Sequence, residues 1–404
     1  PTVANRTSAG NSDIFVLKLS ASGNLLWIKT FGGIGEDKGY NVAFDHRGNL
    51  LVSGHFQYTV DFNFGSTPQI LTANSGSHDM FFLNLDPNGN FRWVKQLTGT
   101  SRSDGRCVAS GADGSLYFAG FFSGTTDFDP GSGTNILSSN YRRSFILKLD
   151  SSGNFNWVKT FIGSGENRIF AIAIDHNSNI YTTGSFAGTA DFDPGSSSFS
   201  LSSSRNNDGF ISKLDSTGNF IWAKKIGGNG NSHGRALGVD KDQNVYLTGH
   251  FSGSVDLDPG TSQLSYNATG IYDVFLLRLD INGNLDWAKK FDGSDVDYSN
   301  DLKVKGGFVY VAGQFAGTTD FDGTTSSYVL SSAGSFDPFI AKYDTSGSIV
   351  WAGQFAGTYF GRSERISVSS KETIYTTGWH NGTTDFNPDV NTSYFVNPPT
   401  NYYS

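Results

Sequence analysis

Short segments in which apolar and polar residues alternate recur along the chain, and Gly, Asn, Asp and Ser separate them. The first four segments are Asp13–Leu19, Leu25–Phe31, Gly39–Asp45 and Leu50–Phe62. A period of two with many β-branched and aromatic residues predicts strands, and the Gly-Asn turns between them predict antiparallel neighbours. The pattern therefore predicts an all-β protein.

The same four segments are repeated along the chain, and a tryptophan in the second segment marks each repeat at intervals of 64 to 66 residues. The markers are Trp27, Trp93, Trp157, Trp222, Trp287 and Trp351, and Trp379 lies outside this register. Four strands in a repeat of this length are typical of a propeller blade, whereas a solenoid has shorter rungs and separate sandwiches need about seven strands each. The repeats predict a six-bladed β-propeller of four-stranded antiparallel blades.

The order of strands within a blade follows by analogy with related propellers. The segment at Gly39–Asp45 is expected to be innermost and the tryptophan segment outermost, in a single domain over 1–404. The predicted blades are 39–97, 105–162, 168–227, 233–292, 298–356, and a sixth made of 365–386 joined with 13–32. Joining the first and last strands in one blade would close the ring and remove exposed sheet edges. The alternative is that neighbouring repeats complete a larger ring.

Composition fits this fold and narrows the partners. The chain has 50 Gly among 404 residues, 14% aromatic residues and a net charge of -8. An acidic protein repels nucleic acid and anionic membrane surfaces, so neither is an expected partner. The single cysteine, Cys107, excludes a disulfide framework and a thiolate metal site. No apolar run approaches the roughly 20 residues that span a bilayer, so membrane insertion is not expected.

Several motifs recur in the same order in each repeat, for example in IFVLKLSASGNLLWIKTFGGIGEDKG and in YFAGFFSGTTDFDPG. They resemble the bacterial family of seven-bladed β-propeller (SBBP) repeats, and the resemblance covers essentially the whole chain. It implies an exported or surface-exposed bacterial protein, often a module of a longer chain, with no defined activity. The chain opens with Pro-Thr-Val and no initiator Met, so we expect a mature or excised piece of a longer protein. The departure from the family is the number of repeats, six instead of seven.

The most regular polar feature is an Asp-x-Asp or Asp-x-Asn pair, which precedes Pro-Gly in three of the copies. The pairs are Asp61/Asn63, Asp127/Asp129, Asp191/Asp193, Asp256/Asp258, Asp320/Asp322 and Asp385/Asn387. Two carboxylates and a carbonyl at a tight turn supply the oxygen ligands that Ca²⁺ prefers, which predicts calcium as the only cofactor. The alternative is that the first Asp caps the turn and Pro-Gly forces the bend. The sequence leaves both interpretations open.

Loops on a rigid scaffold are where binding usually occurs. The long loops after the Asp pairs and the loops between blades, such as Gly32–Gly39, are expected on one face, which is the predicted working surface. Glu36 and Asp37 lie in one such loop, and Glu166, Asp295 and Asp297 partly repeat them. Because this loop sequence drifts between copies, we expect solvated acids there.

The histidines and arginines give a weaker signal. His55 and His250 share a position in the repeat, but no grouping of His, Asp and Glu has the spacing of a zinc site. Arg106 and Arg235 share the start of an innermost strand, and we expect them to be surface cations. The recurring tryptophan is expected to pack between blades, with a tryptophan-lined sugar site as the alternative.

Catalytic motifs such as GxSxG, HExxH and a Walker-type loop are absent from the sequence. Near-identical repeats also argue against an enzyme, which usually breaks symmetry at one pocket. The expected function is a non-catalytic, extracellular structural or interaction module for adhesion or for surface or filament assembly. Its expected partners are another protein, a surface glycan, other copies of the chain or neighbouring domains. The alternatives are a glycan-binding, lectin-like propeller and a hydrolase or lyase with a site in the central channel.

Overall fold

The computed structural model describes residues 5–20, 22, 24–65, 67–74, 78–323, 328–388 and 393–396. These residues form antiparallel β-sheets and contain no helix, which confirms the all-β prediction. Within the same ranges no helix is long and apolar enough to cross a membrane. Residue contacts group the chain into two compact units. Unit 1 comprises Pro1–Ile180, Ala190–Ser198 and Asp215–Phe220, and unit 2 comprises Tyr181–Thr189, Phe199–Leu214 and Ile221–Ser404.

The strands follow the repeats closely. The N-terminal segment contains β1 (Ile14–Leu19) and β2 (Leu25–Phe31). The next repeat contains β3 (Lys38–Phe44), β4 (Leu50–Phe56), β5 (Thr59–Asp61), β6 (Ile70–Thr72), β7 (Asp79–Leu85) and β8 (Phe91–Leu97). It is followed by β9 (Asp104–Ser110), β10 (Leu116–Asp127), β11 (Ile136–Leu149) and β12 (Phe155–Thr160). The strands β13 (Ile162–Gly163), β14 (Asn167–Ile174), β15 (Ile180–Asp191), β16 (Ser200–Leu214) and β17 (Phe220–Gly228) contribute residues to both units.

The remaining strands belong to unit 2. They begin with β18 (Ser232–Val239), β19 (Val245–Phe251), β20 (Ser254–Asp256), β21 (Ser265–Asn267), β22 (Asp273–Leu279) and β23 (Leu285–Lys290). The next set is β24 (Asp292–Gly293), β25 (Asp297–Lys305), β26 (Phe308–Phe315), β27 (Thr318–Asp320), β28 (Val329–Ser331), β29 (Asp337–Asp344) and β30 (Ile349–Gln354). The last are β31 (Gly361–Val368), β32 (Ile374–His380), β33 (Thr384–Asp385) and β34 (Phe395–Val396).

Four repeats each form a four-stranded sheet, in the orders β3-β4-β7-β8, β9-β10-β11-β12, β18-β19-β22-β23 and β25-β26-β29-β30. The segment at Gly39–Asp45 belongs to an edge strand, and the tryptophan segment forms the opposite edge; that the first is innermost and the second outermost stays a prediction. In each of these repeats a small hairpin follows the second strand, either as separate short strands such as β5 and β6 or as the ends of the long strands β10 and β11. The Asp-x-Asp pairs lie at the tips of these hairpins.

Aromatic side chains fill the core of each unit. In unit 1 the ring centroid of Phe62 lies 5.3 Å from that of Phe31 and 5.0 Å from that of Phe81. In unit 2 the rings of Phe321 and Phe339 lie 4.9 Å apart, and the Tyr343 hydroxyl donates a hydrogen bond to the carbonyl of Phe321 at 2.7 Å. Buried aromatic residues contribute large apolar areas, so these clusters account for much of the stability of each unit.

The turns between the first and second strands and those between the third and fourth strands are fixed by their own side chains. Oδ1 of Asp280 accepts hydrogen bonds from the amides of Asn282 at 2.8 Å and Asn284 at 2.9 Å, and Gly283 has a φ of +78°. The same double acceptance occurs at Asp45, Asp86, Asp150, Asp175, Asp215, Asp240 and Asp344. Aspartate is favoured in such turns because its short side chain bonds the backbone two residues on.

Two sheets contain only half the strands of a complete repeat. Among the described residues β1 pairs only with β2, and β32 pairs only with β31. By position in the repeat, β1 and β2 are third and fourth strands, whereas β31 and β32 are first and second strands. Phe15 on β1 is 63% exposed, and Tyr375 on β32 is 51% exposed. Each half therefore presents apolar side chains that the matching strand covers in complete repeats.

Candidate functional site

The Asp-x-Asp pairs organise the hairpin tips through backbone hydrogen bonds. Oδ1 of Asp127 accepts from the amides of Asp129 at 3.1 Å and Asn135 at 2.8 Å, and Oδ1 of Asp129 accepts from Gly131 at 2.8 Å. The first aspartate accepts from the residue two positions on in the other copies too, at Asp61, Asp191, Asp256, Asp320 and Asp385. The turn interpretation thus has direct structural support.

The second aspartate of a pair also has hydrogen-bond or ion-pair partners nearby. Oδ1 of Asp193 accepts from the amide of Gly195 at 2.8 Å, which closes the turn locally. Asp322 is buried, with 7% of its surface exposed, and its Oδ1 lies 3.5 Å from Nζ of Lys289. A backbone amide thus contacts one carboxylate oxygen of Asp193 and a lysine ammonium one carboxylate oxygen of Asp322, and calcium binding by these two residues stays a prediction.

The predicted calcium ligands do not converge on one another within the part of the chain that the structure describes. None of them lies in a group of three or more acidic or histidine side chains whose ligand atoms fall within 4.8 Å of one another. The ten aspartates concerned are Asp61, Asp127, Asp129, Asp191, Asp193, Asp256, Asp258, Asp320, Asp322 and Asp385. Because Ca²⁺ takes six to eight oxygens, each pair would need backbone carbonyls and water to complete a site. Calcium binding stays a prediction.

Opposite the first aspartate, the hairpins present exposed apolar side chains. Asp127 pairs across the hairpin with Ile136, and the same position holds an apolar residue in three further hairpins. These side chains are Ile70 (58% exposed), Ile136 (61%), Val329 (50%) and Phe395 (62%). Scattered exposed apolar residues are common. Here four of them share one repeat position, whereas Ser265 occupies that position opposite Asp256.

One Asp-x-Asp hairpin of unit 2 borders an open groove of about 360 Å³. Lys225 lies in this groove, and its ammonium group donates to the carbonyl of Ser202 at 3.2 Å and to Oγ of Ser204 at 3.3 Å. The main lining residues are Phe199, Leu201, Lys224, Lys225, Asp256 and Asp258. The groove therefore combines apolar side chains with both signs of charge and contains two of the predicted site residues.

A second polar cluster lies in unit 1, away from the Asp-x-Asp hairpins. Backbone register brings it together: His55 on β4 pairs with Lys38 on β3 and with Met80 on β7. Side chains two residues apart on a strand point to the same face. Glu36 lies two residues before Lys38, and His78 lies two residues before Met80. Both side chains consequently approach His55. One side-chain atom of Glu36, one of His55 and one of His78 all lie within 4.8 Å of one another.

His55 is fully buried, and two polar side chains contact its Nδ1 atom. Its Nδ1 lies 2.9 Å from the hydroxyl of Tyr40 and 3.3 Å from Oδ1 of Asp104. Asp104 in turn contacts Arg106, with Nη2 2.9 Å from Oδ2, and Arg102, with Nε 3.4 Å from Oδ1. Nε2 of His55 is buried and has no hydrogen-bond partner.

The electrostatic environment of this cluster is set by burial and by the two arginines. Burial raises the pKa of Asp104, but the hydrogen bond with His55 and the charges of Arg106 and Arg102 outweigh it, so the pKa lies well below its usual range. Burial, followed by the charge of Asp104, raises the pKa of Tyr40 to about 12. Burial also lowers the pKa of His78. Tyr40 and His78 are thus neutral near pH 7, and Asp104 is ionised.

Several expectations about these residues need correction. Asp37 is buried, not solvated, and its carboxylate accepts from the amides of Gly33 at 2.7 Å and Gln57 at 3.0 Å. Asp297, at the same repeat position, is also buried. Arg106 is only 35% exposed and lies over the ring of Tyr40 at 4.5 Å, so it is not a simple surface cation. Asp37 immediately precedes β3, Asp297 begins β25 and Arg106 lies on β9, so all three belong to or adjoin the first strand of a repeat.

The shared repeat position of His55 and His250 leads to two different environments. In unit 2 His250 is surrounded by aromatic rings, with centroids 4.7 Å from Tyr298 and 5.6 Å from Tyr272. Burial, followed by the charge of Arg235, lowers its pKa well below the usual value. The residue that distinguishes the unit 1 cluster is His78, which sequence reasoning missed because no other copy has histidine there.

Comparisons with known proteins identify relatives of low identity. The chain is 23% identical over 438 residues to an uncharacterized WD repeat-containing protein of Acanthamoeba polyphaga mimivirus, a match that covers 89% of this chain and 31% of that protein. It is 25% identical over 180 residues to the regulatory protein FlaEY of Caulobacter vibrioides, covering 39% of this chain and 18% of that protein. The chain thus spans less than a third of the length of either relative. No family model matches, so the resemblance to SBBP repeats stays a prediction.

Two solved structures show a distant similarity. A protein of unknown function from Bacteroides caccae aligns with a TM-score of 0.41 at 10% identity, over 85% of this chain and 93% of that one. Sqt1 from Chaetomium thermophilum aligns with a TM-score of 0.34 at 10% identity, over 86% of this chain and 95% of that one.

Proposed function

We propose that the protein is a six-bladed β-propeller that acts as a non-catalytic protein-interaction module. The observation that carries this proposal is the similarity to a WD repeat-containing protein over 89% of the chain. WD repeats form four-stranded propeller blades, and four repeats of this chain are four-stranded antiparallel sheets. Rigid repeat scaffolds typically present loops for binding.

The proposed contact surface consists of the hairpins that carry the Asp pairs. Their backbone is fixed by the aspartate hydrogen bonds, so little conformational entropy is lost when a partner binds. Ile70, Ile136, Val329 and Phe395 expose apolar side chains on these hairpins. Exposed apolar residues on an ordered backbone are the kind of group that anchors a protein interface.

The closure of the ring is part of this proposal. The half-sheet β1-β2 lacks first and second strands, and the half-sheet β31-β32 lacks third and fourth strands. The register of β4 with β7 predicts how β32 would pair with β1 to complete a sixth blade. Closure would protect two strand edges that are otherwise liable to aggregate.

We assign the proposed module to a secreted or surface-exposed bacterial protein, where it would serve adhesion or assembly. Support comes from the SBBP-like motifs and from the single cysteine, since neither disulfides nor reactive thiols are needed for this role. The hairpins that carry the Asp pairs would serve either role. They could bind one protein partner for a short time or form long-lived contacts in a surface assembly.

The test starts with affinity capture on the immobilised protein, followed by direct binding measurements with each captured protein after purification. The double variant Ile136→Ser/Val329→Ser is expected to weaken binding at least about tenfold, because truncating an interface anchor costs more than about 1 kcal/mol. Ile281→Ser, at an exposed apolar residue of a different turn, is the matched control. If no purified protein binds, or if the double variant binds as well as wild type, the proposal is wrong.

A second candidate function is glycan binding, and the groove beside Asp256 favours it. Sugar sites combine apolar contact with convergent polar groups, and Phe199, Leu201, Lys225 and Asp258 supply both. A glycan array probed with wild-type protein and with Asp258→Asn would test it. Selective binding that the variant loses would favour the lectin-like function over the protein-interaction module.

Calcium stabilisation of the hairpins is a separate proposal. A cation that binds only the folded chain raises stability, by roughly 2.7 kcal/mol at 100 times its dissociation constant. Thermal unfolding in chelator and then in calcium, with magnesium as a control, is the test. Asp129→Asn/Asp193→Asn is a suitable variant because Asn63 and Asn387 occupy that position in other hairpins. A calcium-specific rise in Tm that the variant loses would assign the site, and equal Tm values would leave only turn chemistry.

A further inference from the structure

We propose that Glu36, His55 and His78 bind a divalent transition-metal ion of the zinc class. The three residues come from separate segments of unit 1: the loop before β3, the strand β4 and the residue that precedes β7. Two imidazoles and one carboxylate are a ligand set that proteins use for Zn²⁺, with a fourth position left for water or another ligand. A metal here would join the three segments and is independent of the proposed interaction surface.

The ligand atoms are placed for this role. The side-chain ligand atoms of all three residues lie within 4.8 Å of one another, and Nε2 of His78 is 3.5 Å from Oε2 of Glu36. Nε2 of His55 and Nε2 of His78 are both buried without a hydrogen-bond partner. A buried polar atom without a partner costs free energy, and coordination to a metal would remove that cost.

Tyr40 and Asp104 contact the other ring nitrogen of His55, as acceptor groups do in known metal-binding histidines. Such histidines usually donate their other ring N–H to a carboxylate or another acceptor, which fixes the tautomer. Nδ1 of His55 faces the hydroxyl of Tyr40 and Oδ1 of Asp104. When Nδ1 carries the ring proton and donates it to these acceptors, Nε2 is the nitrogen whose lone pair can bind a metal ion.

The cationic side chains around the site are each paired with a carboxylate. Lys38 donates a hydrogen bond to Oε1 of Glu36, which leaves Oε2 to face His78. Arg102 and Arg106 are both paired with Asp104. The cation would therefore approach a carboxylate oxygen and two ring nitrogens, while Arg102 and Arg106 are directed towards Asp104.

The chain itself supplies a comparison. His250 occupies the position of His55 in its repeat and pairs with His233 and Val274. Asn231 lies two residues before His233 and corresponds to Glu36 of unit 1. Tyr272 lies two residues before Val274 and corresponds to His78. The repeat of His250 therefore lacks two of the three ligands, and the variants Glu36→Asn and His78→Tyr copy residues that this fold already accepts.

The test measures Co²⁺ and Zn²⁺ binding to wild type, Glu36→Asn, His78→Tyr and Asp104→Asn, with circular dichroism to verify folding. His176→Gln, at an exposed histidine, is the matched control. Wild type and His176→Gln should each bind one ion per chain and show a metal-induced rise in Tm. Their Co²⁺ complexes should show the visible absorption bands of a low-symmetry site. Glu36→Asn and His78→Tyr should each weaken binding by at least about tenfold, and Asp104→Asn by roughly 10- to 100-fold. Unchanged affinity in the first two variants, no binding to wild type, or an equal loss in His176→Gln would overturn the site.

Discussion

The indole ring of Trp287 lies against Gly347 of the following repeat. A methyl group added at Gly347 would lie 2.9 Å from Cδ2 of the ring, and Nε1 of Trp287 donates to the carbonyl of Thr345 at 3.0 Å. The same contact links Trp27 with Gly89, Trp93 with Gly153, Trp157 with Gly218 and Trp222 with Gly283. The prediction that the recurring tryptophan packs between repeats is thereby confirmed.

This contact gives a first prediction about stability. Gly347→Ala would force a side chain onto a residue with φ of +85° and also press it against Trp287. The backbone strain costs about 1–2 kcal/mol, and overpacking adds about 1–3 kcal/mol. Gly307→Ala is the matched control because Gly307 has φ of +80° and nothing within 4 Å of an added methyl group. Urea unfolding should show Gly347→Ala as the less stable variant by at least about 1 kcal/mol, and equal stabilities would show that the tryptophan contact contributes nothing.

A second prediction concerns the pH dependence of unit 2. Burial raises the pKa of Asp297 from 3.8 to about 8, although Thr319 and the Ala316 amide donate hydrogen bonds to its carboxyl group. Between these pH values the folded chain holds a proton that the unfolded chain releases. The stability that this group contributes is thus fully present at low pH and is lost as the pH rises towards about 8.

Asp297→Asn should remove this dependence, because an amide stays neutral and Asn167 already occupies the equivalent position in another repeat. The free energy of unfolding of wild type should fall relative to the variant by up to about 1.4 kcal/mol per pH unit between about pH 5 and pH 7. Denaturant titrations across this range are the measurement. Parallel curves for the two proteins would contradict the raised pKa.

A third prediction addresses the aspartate turns. Asp280→Ala removes the acceptor of two backbone amides and of the Asn284 side chain, and should cost about 1–2 kcal/mol of unfolding free energy. The hydrogen bonds lower the pKa of Asp280 despite the opposing effect of burial, so this stabilisation is present above about pH 4 and is lost as the pH falls further. Asp242→Ala is the control, since Asp242 is exposed and bonds mainly to Lys241. A control that loses as much stability would mean that the turn bonds are not the cause.

Local features and the repeated tryptophan contact could be predicted from the sequence, whereas contacts between individual side chains distant in the chain could not. The aspartate turns and the Asp-x-Asp hairpins depend on residues close together in the chain, so the repeated motif was sufficient to place them. The pairing of Asp322 with Lys289 could not be predicted, because it joins the turn after β27 to the strand β23, which is more than 30 residues earlier in the chain. Glu36, His55 and His78 likewise meet only through the pairing of His55 with β3 and β7. The hairpin β5-β6 separates β4 from β7 in the chain. The spacing of residues in the sequence therefore does not indicate which residue of β7 pairs with His55.

The half-sheets give the last prediction. In the complete repeat Val52 pairs with Leu83, and by repeat position these residues correspond to Thr376 on β32 and Leu17 on β1. If β32 completes a blade with β1, Leu17→Cys/Thr376→Cys should form a disulfide under mild oxidation, because directly paired residues have the Cα separation that a disulfide requires. The native Cys107 is buried and should not compete.

The off-register variant Leu19→Cys/Thr376→Cys is the control, since Leu19 would pair with Ile374. Non-reducing electrophoresis distinguishes the outcomes. A cross-linked monomer in the first variant alone would support a closed ring of six blades within one chain. A cross-linked dimer would show that β1 and β32 pair between chains, as in an assembly. Equal cross-linking of both variants, or none in either, would contradict the register that the complete repeats predict.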